Sequence, residues 1–392
     1  MSTTQLDGAV IPETTRSPLR VLVVCHRYFP YLGGIETHVY EVLKRLSKNS
    51  AFSITLLTTD LSGQLPQEEV IDGVTVLRVP AWPRKRDYYL APRIPAIVGQ
   101  PDRWDLVHCQ GIHNFVPLLS MFAARRVKIP YLVSFHTGGH SKRWRNAIRS
   151  TQWRVLGPLL RGASRLIGVS RFEADTISRH ARLADKDVTV IRNGGTLPPP
   201  SAGVTPVPGR IVSSGRLERY KGHHRVIEAL PEVIRLVPEA HLRILGSGPY
   251  ESELRELASR LGVADRVTIT SIAPADRAAM GQALTEASVI AALSEYEAHP
   301  IAVMEALSVS RPVVGFDIAG IGELVGEGWV RGVDPKESPA GIARQLVSAM
   351  SARPSVDPAD LPTWDTCAAQ VAEVYLEMGE RIQRGELGRR MG

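Results

Sequence analysis

The chain has 392 residues, enough for two domains of ordinary size. Hydrophobic residues make up 44% of the sequence and charged residues 22%, a balance that excludes a disordered or fibrous protein. The net charge of +7 indicates attraction to something anionic, and nucleic acid, a membrane surface and a phosphorylated substrate all remain open. The three cysteines are far apart and odd in number (Cys25, Cys109 and Cys367), so we expect free thiols and no zinc site.

The N-terminal residues 1–18 are polar and lack the apolar segment of a signal peptide, so we expect a disordered tail. No run of 18 apolar residues occurs, so the sequence predicts no transmembrane helix. A cytoplasmic location follows as the expectation.

The first half of the chain alternates short β-branched runs with helical stretches. Val21 to His26 is typical of a strand buried on both faces of a parallel sheet. A loop with two glycines follows, and then an amphipathic helix from Ile35 to Lys48. Further strands are predicted at ITLLTT, VTVLRV, LVHCQ, YLVSFH, RLIGVS and VTVIRN. The pattern predicts an α/β, Rossmann-like domain over residues 19–195.

A proline- and glycine-rich segment interrupts this pattern and is predicted to be the interdomain linker, residues 196–209. A second alternation of strands and helices then predicts another Rossmann-like domain over residues 210–360. The last helical stretch, within residues 361–385, follows the completed second sheet. Doubly wound domains bind ligands at the carboxyl ends of their strands, so the residues after each strand are the candidates for function.

Two glycines separate the first strand from its helix. Gly33 and Gly34 allow close approach of a ligand to the backbone, and the helix start offers unpaired N–H groups, which together favour an anion site. The spacing matches neither a dinucleotide fingerprint nor a P-loop. An ordinary tight turn is an equally good interpretation of these two residues alone.

Two cations follow the first strand of the second domain. Gly215 ends the strand, and Arg216 and Lys221 come just after it, where both could grip a diphosphate by charged hydrogen bonds. Such a pair could replace Mg²⁺, and no Asp-x-Asp motif follows a strand, so no metal is predicted. Without other signals, surface cations on a basic protein are the more frequent explanation.

Two carboxylates flank the start of an apolar helix near residue 300. Pro300 suits the first position of that helix, which puts Glu297 in the preceding loop and Glu305 inside the helix. A carboxylate beside a phosphate would be repelled, so we expect both acids to bind hydroxyl groups. The amides of Ile301 and Ala302 remain to donate to a phosphate.

Together these segments resemble a known family. The stretch from Ser294 to Val325 is similar to the Glu-x7-Glu signature of family-4 glycosyltransferases, which are retaining enzymes of GT-B fold. YFPYLGGIETHV, VIRNG, GRLERYKG, ILGSGP and the pair Trp364 and Tyr375 resemble further family segments in the right order. The similarity covers Leu19 to Tyr375. It implies two Rossmann-like domains facing across a cleft, acceptor side first, donor side second, with a C-terminal crossover helix.

The resemblance also implies a role for each matching residue. Gly34 would approach the distal phosphate, and Arg216 and Lys221 would bind the diphosphate. Glu305 would hold the ribose hydroxyls and Glu297 those of the transferred sugar. The expected donor-binding set is Gly33, Gly34, Gly215, Arg216, Lys221, Gly246, Glu297, Ile301, Ala302 and Glu305. Arg216, Lys221 and Glu297 are also expected to act in catalysis.

A histidine is implied near the anomeric centre. His136 directly follows the strand YLVSF, and its imidazole could hydrogen-bond the sugar or stabilise developing charge. His140, in the same HTGGH loop, is the second candidate. A polar surface histidine is the ordinary alternative.

The expected reaction is transfer of a hexosyl group from a UDP- or GDP-sugar to a hydroxyl acceptor with retention of anomeric configuration. No cofactor is expected beyond the donor. Three alternatives stay open: a catalytically silent nucleotide-sugar-binding protein that assists a partner transferase, a sugar-nucleotide epimerase of the same fold, and, suggested by charge alone, a nucleic-acid-binding protein. The base, the sugar and the acceptor are not fixed by the sequence.

Some residues depart from the family pattern. Ser310 and Arg311 precede Pro312 where the family commonly has glycine, and Ala319 replaces a second glycine. Ala298–Pro300 replaces a glycine-containing stretch, and Gly195 replaces a frequent valine. These changes lie on the donor side.

Two basic stretches with aromatic residues lie in the first domain, Arg84 to Tyr89 and Ser141 to Arg154. They could contact anionic lipid headgroups at the inner face of the cell membrane. A solvated basic face is the simpler interpretation.

Overall fold

The computed structural model describes residues 17–388 except 32, 84–88, 101, 113, 138–155, 184–187 and 274. The first domain is built on a sheet in the order β3-β4-β2-β1-β5-β6-β7-β8, parallel except for β3. Its strands are β1 Leu19–Cys25, β2 Phe52–Asp60, β3 Glu68–Ile71, β4 Val74–Pro80, β5 Leu106–Gln110, β6 Tyr131–Ser134, β7 Arg165–Gly168 and β8 Val188–Val190. The predicted strands are confirmed.

Helices cover both faces of this first sheet. They include α1 Gly34–Leu46, α2 Ile94–Val98, α3 Phe115–Val127 and α4 Arg171–Ala181. One apolar cluster lies beneath α2, α3 and α4, and a second lies beneath α1. Central strand residues belong to both clusters, which explains why β1 has almost no polar side chains.

The second domain has an entirely parallel sheet in the order β11-β10-β9-β12-β13-β14. The strands are β9 Arg210–Ser214, β10 His241–Leu245, β11 Val267–Thr270, β12 Val289–Ala292, β13 Val313–Phe316 and β14 Arg331–Val333. The surrounding helices are α5 His223–Leu236, α6 Glu251–Arg260, α7 Arg277–Thr285, α8 Ile301–Ser308, α9 Ala319–Gly326 and α10 Pro339–Met350.

The last helix, α11 Trp364–Gln383, packs on the first domain. Its buried residues, among them Trp364 and Tyr375, join the cluster formed by α1 and the first sheet. Thr363 caps the helix by accepting a hydrogen bond from the Thr366 amide, which fixes where it begins. The chain therefore crosses twice between the domains, once between β8 and β9 and once before α11.

Several details differ from the sequence expectations or extend them. The hairpin strand β3 has two glutamates and an exposed valine, and the sequence pattern did not reveal it. Pro300 is the residue before α8, with an extended ψ of 111°, so its predicted place at the first helical position is wrong by one. The three cysteines are buried and free. Residues 1–16 of the predicted tail lie outside the described residues.

Within the described ranges, no helix combines the length and the apolar character needed to cross a bilayer.

Candidate active site

The carboxyl ends of the two sheets meet across a cleft. In each sheet the strand order reverses next to the first strand, between β1 and β5 and between β9 and β12, and such switch points are where ligands bind. The Thr137 hydroxyl, after β6, lies 3.1 Å from the Tyr296 hydroxyl, after β12. Asn193, between β8 and β9, bridges the domains by donating to the carbonyl of His299 at 3.0 Å.

The glycine pair lies at the start of α1, on the first-domain side of the cleft. Gly33 is the residue before the helix and has an extended backbone. A Cβ atom added at Gly34 would meet no atom within 4 Å, so the backbone at this position faces open space. The geometry fits the predicted approach of a ligand at Gly34.

A carboxylate already occupies this helix start. Oε2 of Glu36 lies 2.8 Å from where a Gly33 Cβ would stand, and its side chain receives hydrogen bonds from the Gly33 and Glu36 amides. Burial raises the pKa of Glu36, while these amides and the charges of Arg27 and Arg216 oppose the rise. Glu36 therefore holds the position that the sequence assigns to a phosphate.

The two predicted cations lie on the second-domain side. Arg216 is half-exposed, pairs with Glu218 at 3.0 Å and is close enough to act electrostatically on Glu36 across the cleft. Lys221 is largely buried and lies 2.5 Å from a Glu297 oxygen. Burial lowers the pKa of Lys221, but the Glu297 charge, the neighbouring Tyr220 and the hydrogen bond to Glu297 together outweigh this effect, so the pKa is raised. Lys221 therefore stays an ammonium ion.

Both carboxylates of the Glu-x7-Glu motif have cationic partners. Glu297 pairs with Lys221, and its carbonyl accepts from the Gly320 amide, which anchors the loop before α8. Glu305 is 4% exposed and pairs with Arg277 at the start of α7. Burial raises the pKa of Glu305, and Arg277 opposes the rise. Both acids are thus paired with cations, whereas the sequence analysis expected them to bind hydroxyl groups.

The start of α8 leaves two donors open within the helix. The carbonyl of Pro300 accepts from the amides of Val303 and Met304, so the amides of Ile301 and Ala302 precede the first helical hydrogen bonds. A cavity of about 490 Å³ lies nearby between α1 and the β3–β4 hairpin, and Arg277 forms part of its wall. Space for a ligand therefore adjoins the Glu305 pair.

The predicted catalytic histidine lies in a buried, neutral environment. Nε2 of His136 donates to Oε1 of Gln110 at 2.8 Å, and its ring packs 4.4 Å from that of His38. Burial, followed by the neighbouring His38 and His108, lowers the pKa of His136 well below its ordinary value. A neutral imidazole that donates through Nε2 carries an acceptor at Nδ1. His136 is thus suited to accept a hydrogen bond and not to carry charge.

Two more of the predicted glycines are explained by packing. A Cβ at Gly246 would stand 1.9 Å from the carbonyl oxygen of Gly215, and Gly215 itself has φ of +150°. The adjacent ends of β9 and β10 therefore require glycine whether or not a ligand binds there.

The departures from the family pattern also have structural consequences. Ser310 and Ala319 have φ of 57° and 54°, in the left-handed region that favours glycine. A Cβ at Gly195 would lie 2.3 Å from the carbonyl carbon of Met304, so a valine here would displace α8.

Sequence reasoning missed several residues that shape the site, because their partners come from distant segments. They are Glu36, His38, Gln110, Glu173, Asn193, Arg277 and Tyr296. A usable signal existed for Glu36, an acid in the first turn of the helix after the two glycines. His140 and most of the two basic stretches lie outside the described residues.

Family models match most of the chain. The model described as Glycosyltransferase Family 4 matches residues 32–195, and the model described as Glycosyl transferases group 1 matches residues 205–357. The two matches meet at the predicted linker.

Characterised relatives agree with this match. The GDP-mannose:cellobiosyl-diphosphopolyprenol alpha-mannosyltransferase of Xanthomonas campestris is 26% identical over 348 residues, 86% of this chain and 89% of the relative. The D-inositol 3-phosphate glycosyltransferase of Streptomyces bingchenggensis is 27% identical over 392 aligned positions, 88% of this chain and 85% of the relative.

Solved structures confirm the predicted GT-B fold. Sucrose-phosphate synthase from Thermosynechococcus elongatus superposes with a TM-score of 0.75 at 18% identity, covering 92% of this chain and 99% of that one. Anabaena HepE in complex with UDP and glucose gives 0.70 at 18% identity, with 91% and 99% covered. With both domains matched by family models and the fold shared, the chain belongs to the family-4 glycosyltransferases.

Proposed function

We propose that this glycosyltransferase moves a hexosyl group from a UDP- or GDP-sugar to a hydroxyl acceptor with retention of anomeric configuration. The observation that carries the proposal is the Lys221–Glu297 pair at the cleft. Tyr296, next to Glu297, meets Thr137, next to His136, across the cleft at 3.1 Å. The ammonium group of Lys221 could bind a diphosphate, and the carboxylate of Glu297 could accept hydrogen bonds from a sugar. A nucleotide sugar carries both groups and could therefore contact both residues.

The leaving diphosphate gains charge as the glycosidic bond breaks. Lys221, Arg216 and the amides of Ile301 and Ala302 are the groups that would meet this charge, and donors fixed at such a position typically contribute 10²–10³-fold in rate, about 2.7–4 kcal/mol. In this proposal the cations neutralise the diphosphate without a metal. Turnover that survives EDTA treatment supports this part, and turnover restored only by Mg²⁺ or Mn²⁺ contradicts it.

The carboxylates and the histidine would read hydroxyl groups. When the diphosphate takes over Lys221, Glu297 becomes free to accept from hydroxyls of the transferred sugar. Glu305 would accept from the ribose in the same way beside Arg277. The Nδ1 acceptor of His136 would take a further sugar hydroxyl, and the departing phosphate would assist attack by the acceptor on the same face of the sugar.

The relatives and the solved structures support two different nucleotide bases for the donor. The Xanthomonas relative is named for GDP-mannose, and HepE has been solved with UDP-glucose. We therefore keep UDP- and GDP-sugars as the two candidate donor classes.

The acceptor is proposed to be a small molecule, an oligosaccharide or a lipid-linked sugar. The Xanthomonas and Komagataeibacter relatives are named for a diphosphopolyprenol acceptor. Trp82, 74% exposed, directly precedes Pro83 and the basic segment 84–88, a combination suited to anionic headgroups. If this surface binds membranes, sedimentation with anionic vesicles should fall steeply with salt and with Lys/Arg-to-Gln changes in residues 84–86. Binding that neither change reduces would contradict it.

The test of the function combines binding and turnover. UDP-, GDP- and ADP-sugars are screened by thermal shift, since a ligand of the native state raises the melting temperature. Transfer from the best donor is then followed by NMR, which reports the anomeric configuration of the product. Glu297→Gln should abolish transfer, and Glu295→Gln, an exposed acid two residues away, should not.

Each negative result has a distinct meaning. Donor binding without transfer to any tested acceptor would favour the silent assisting protein. An epimerised donor without a new glycoside would favour the epimerase. Transfer that is unaffected by Glu297→Gln would refute the assigned site.

A further inference from the structure

Glu173 is a fully buried carboxylate that organises the loop carrying His136. It is 0% exposed, and one of its oxygens accepts from the Thr137 amide at 2.5 Å and from the Thr137 hydroxyl at 2.6 Å. The other oxygen accepts from the Val169 amide at 2.8 Å, and the His136 amide also donates to the carboxylate. A buried acid is tolerated only when it is satisfied in this way.

The backbone of His136 explains why such support is needed. Its φ of 48° lies in the left-handed region, which is costly for any residue with a Cβ. Glu173 grips the amides of His136 and of Thr137, so it holds the strained residue from both sides. The strained conformation directs the imidazole to Gln110 at 2.8 Å.

The Thr137 hydroxyl extends this arrangement across the cleft. Because its hydrogen is donated to Glu173, the oxygen can only accept from Tyr296, whose hydroxyl lies 3.1 Å away. The Tyr296 ring is kept in place by an edge contact with Phe172, at 5.7 Å between ring centres. Tyr296 directly precedes Glu297. Hydrogen bonds therefore connect Glu173, through Thr137 and Tyr296, to the loop that carries Glu297.

We propose that Glu173, Thr137 and Tyr296 are positioning residues that align the His136 loop with the Glu297 loop when the cleft closes. The inference rests on the proposed function, because it assigns these residues to the same sugar site. None of the three touches the reacting atoms. They act by fixing the distance between two loops that belong to different domains.

Kinetics of four variants test the proposal. Thr137→Val and Tyr296→Phe each remove the hydroxyl link and keep the side-chain shape, and each should lower kcat about fivefold, the worth of one neutral hydrogen bond. The donor KM should change less than about twofold, since donor groups are untouched. Thr137→Ser keeps the hydroxyl and should restore kcat. Thr285→Val, which removes a buried hydroxyl bonded within α7, is the matched control and should leave kcat unchanged.

The double variant Thr137→Val/Tyr296→Phe shows whether the two hydroxyls act through one contact. If they do, the kcat of the double variant equals that of the single variant with the lower kcat. Losses that multiply to about 25-fold would mean independent effects and would overturn the proposal, as would single variants within about twofold of the wild type.

Hydrogen exchange gives a reading that does not depend on turnover. Thr137→Val should speed amide exchange about fivefold in residues 294–299 across the cleft, and Thr285→Val should not. Unchanged exchange there overturns the alignment role. If the wild type transfers no sugar at all, the proposed function fails. Hydrogen exchange would still show whether Thr137 holds the two loops in alignment or does not.

Discussion

The two sides of the cleft solve different electrostatic problems. On the first-domain side lies a buried, neutral set of side chains. His136 donates to Gln110, and His38 hydrogen-bonds to Asn193 while its ring packs on that of His136. On the second-domain side, Lys221 and Arg277 carry full charges that are balanced by the two acids of the motif. In the proposed site this neutral set keeps its partners, whereas the charged pairs must exchange partners to bind a donor.

This difference between the two sides affects the binding free energy of a donor. In the proposed site, a donor diphosphate would bind Lys221 only by separating it from Glu297, so the net gain in binding free energy would be smaller than the bare attraction. Glu297 is not left unpaired, because the hydroxyls of the sugar can replace the ammonium group. A nucleoside diphosphate, which lacks the sugar, would leave the Glu297 carboxylate without a partner. We therefore expect a nucleotide sugar to bind more tightly than the same nucleoside diphosphate.

The strongest test removes the central charge of the donor side. Lys221→Met should lower kcat/KM about 10²–10³-fold, because the leaving diphosphate loses a fixed cation and Glu297 loses its partner. Steady-state kinetics measures the loss, and Lys336→Met, an exposed lysine of the same domain, is the control. A loss in kcat/KM below about tenfold would contradict the role of Lys221 in stabilising the transition state.

The next test uses acid on the buried histidines of the first domain. Burial lowers the pKa of His38 to about 4 and that of His108 to about 3, from an ordinary value of 6.5. The unfolded chain binds these protons first, so the free energy of unfolding falls as the pH drops, by about 2 kcal/mol for each histidine between pH 7.0 and 5.0. Lys221 behaves oppositely: its pKa is raised above 10.5, so its stabilising charge is lost only in alkali.

The measurement is urea unfolding at pH 5.0 and 7.0 for the wild type and His108→Gln. The variant should show a smaller difference between the two pH values, because one buried proton acceptor is gone. Equal pH dependence in both proteins would show that His108 is not buried as a neutral group.

A smaller effect should come from the carboxylate at the start of α1. Glu36→Gln keeps the shape but removes the charge that competes with a phosphate near Gly34. Binding of the nucleoside diphosphate should tighten about tenfold, or ~1.4 kcal/mol, as measured by calorimetry. Glu373→Gln, an exposed acid on α11, provides the control. Weaker binding in Glu36→Gln would instead make Glu36 part of the donor site.

The smallest expected effect concerns strain on the charged side. Ser310 follows α8, which carries Glu305, and has φ of 57°. Ser310→Gly should raise the free energy of unfolding by about 0.5 kcal/mol, since relief of strain exceeds the added entropy of the unfolded chain. Ser351→Gly, at φ of −100°, should instead destabilise. A destabilised Ser310→Gly in denaturant titration would show that other contacts keep this serine.

The sequence predicted the fold well because its signals are local. The β-branched run at β1, the amphipathic face of α1 and the bounds of α11 follow from periodicity within each segment. The sequence pattern did not predict the hairpin strand β3, because it lies at the edge of the sheet, where its two adjacent glutamates cost little. Its pairing depends on β4 and not on its own composition.

The candidate site was predictable only in part. Position after a strand made Gly34, Lys221 and Glu297 candidates, since a doubly wound sheet brings such positions to one edge. Their present partners could not be predicted, because Glu297 with Lys221 and Glu305 with Arg277 are contacts across 76 and 28 residues. The hydroxyl link from Thr137 to Tyr296 spans 159 residues and depends on how the domains face each other.

The crossover helix α11 has a consequence for synthesis of the protein. Trp364, Val371 and Tyr375 fill the apolar cluster beneath α1, although they are translated after the whole second domain. While the ribosome is still making that domain, the first one has an uncovered apolar groove and cannot reach its final packing. Emerging chains would therefore expose a chaperone-binding surface until the final helix docks, and nonsense mutations upstream of Trp364 would damage the half of the enzyme that had been made first.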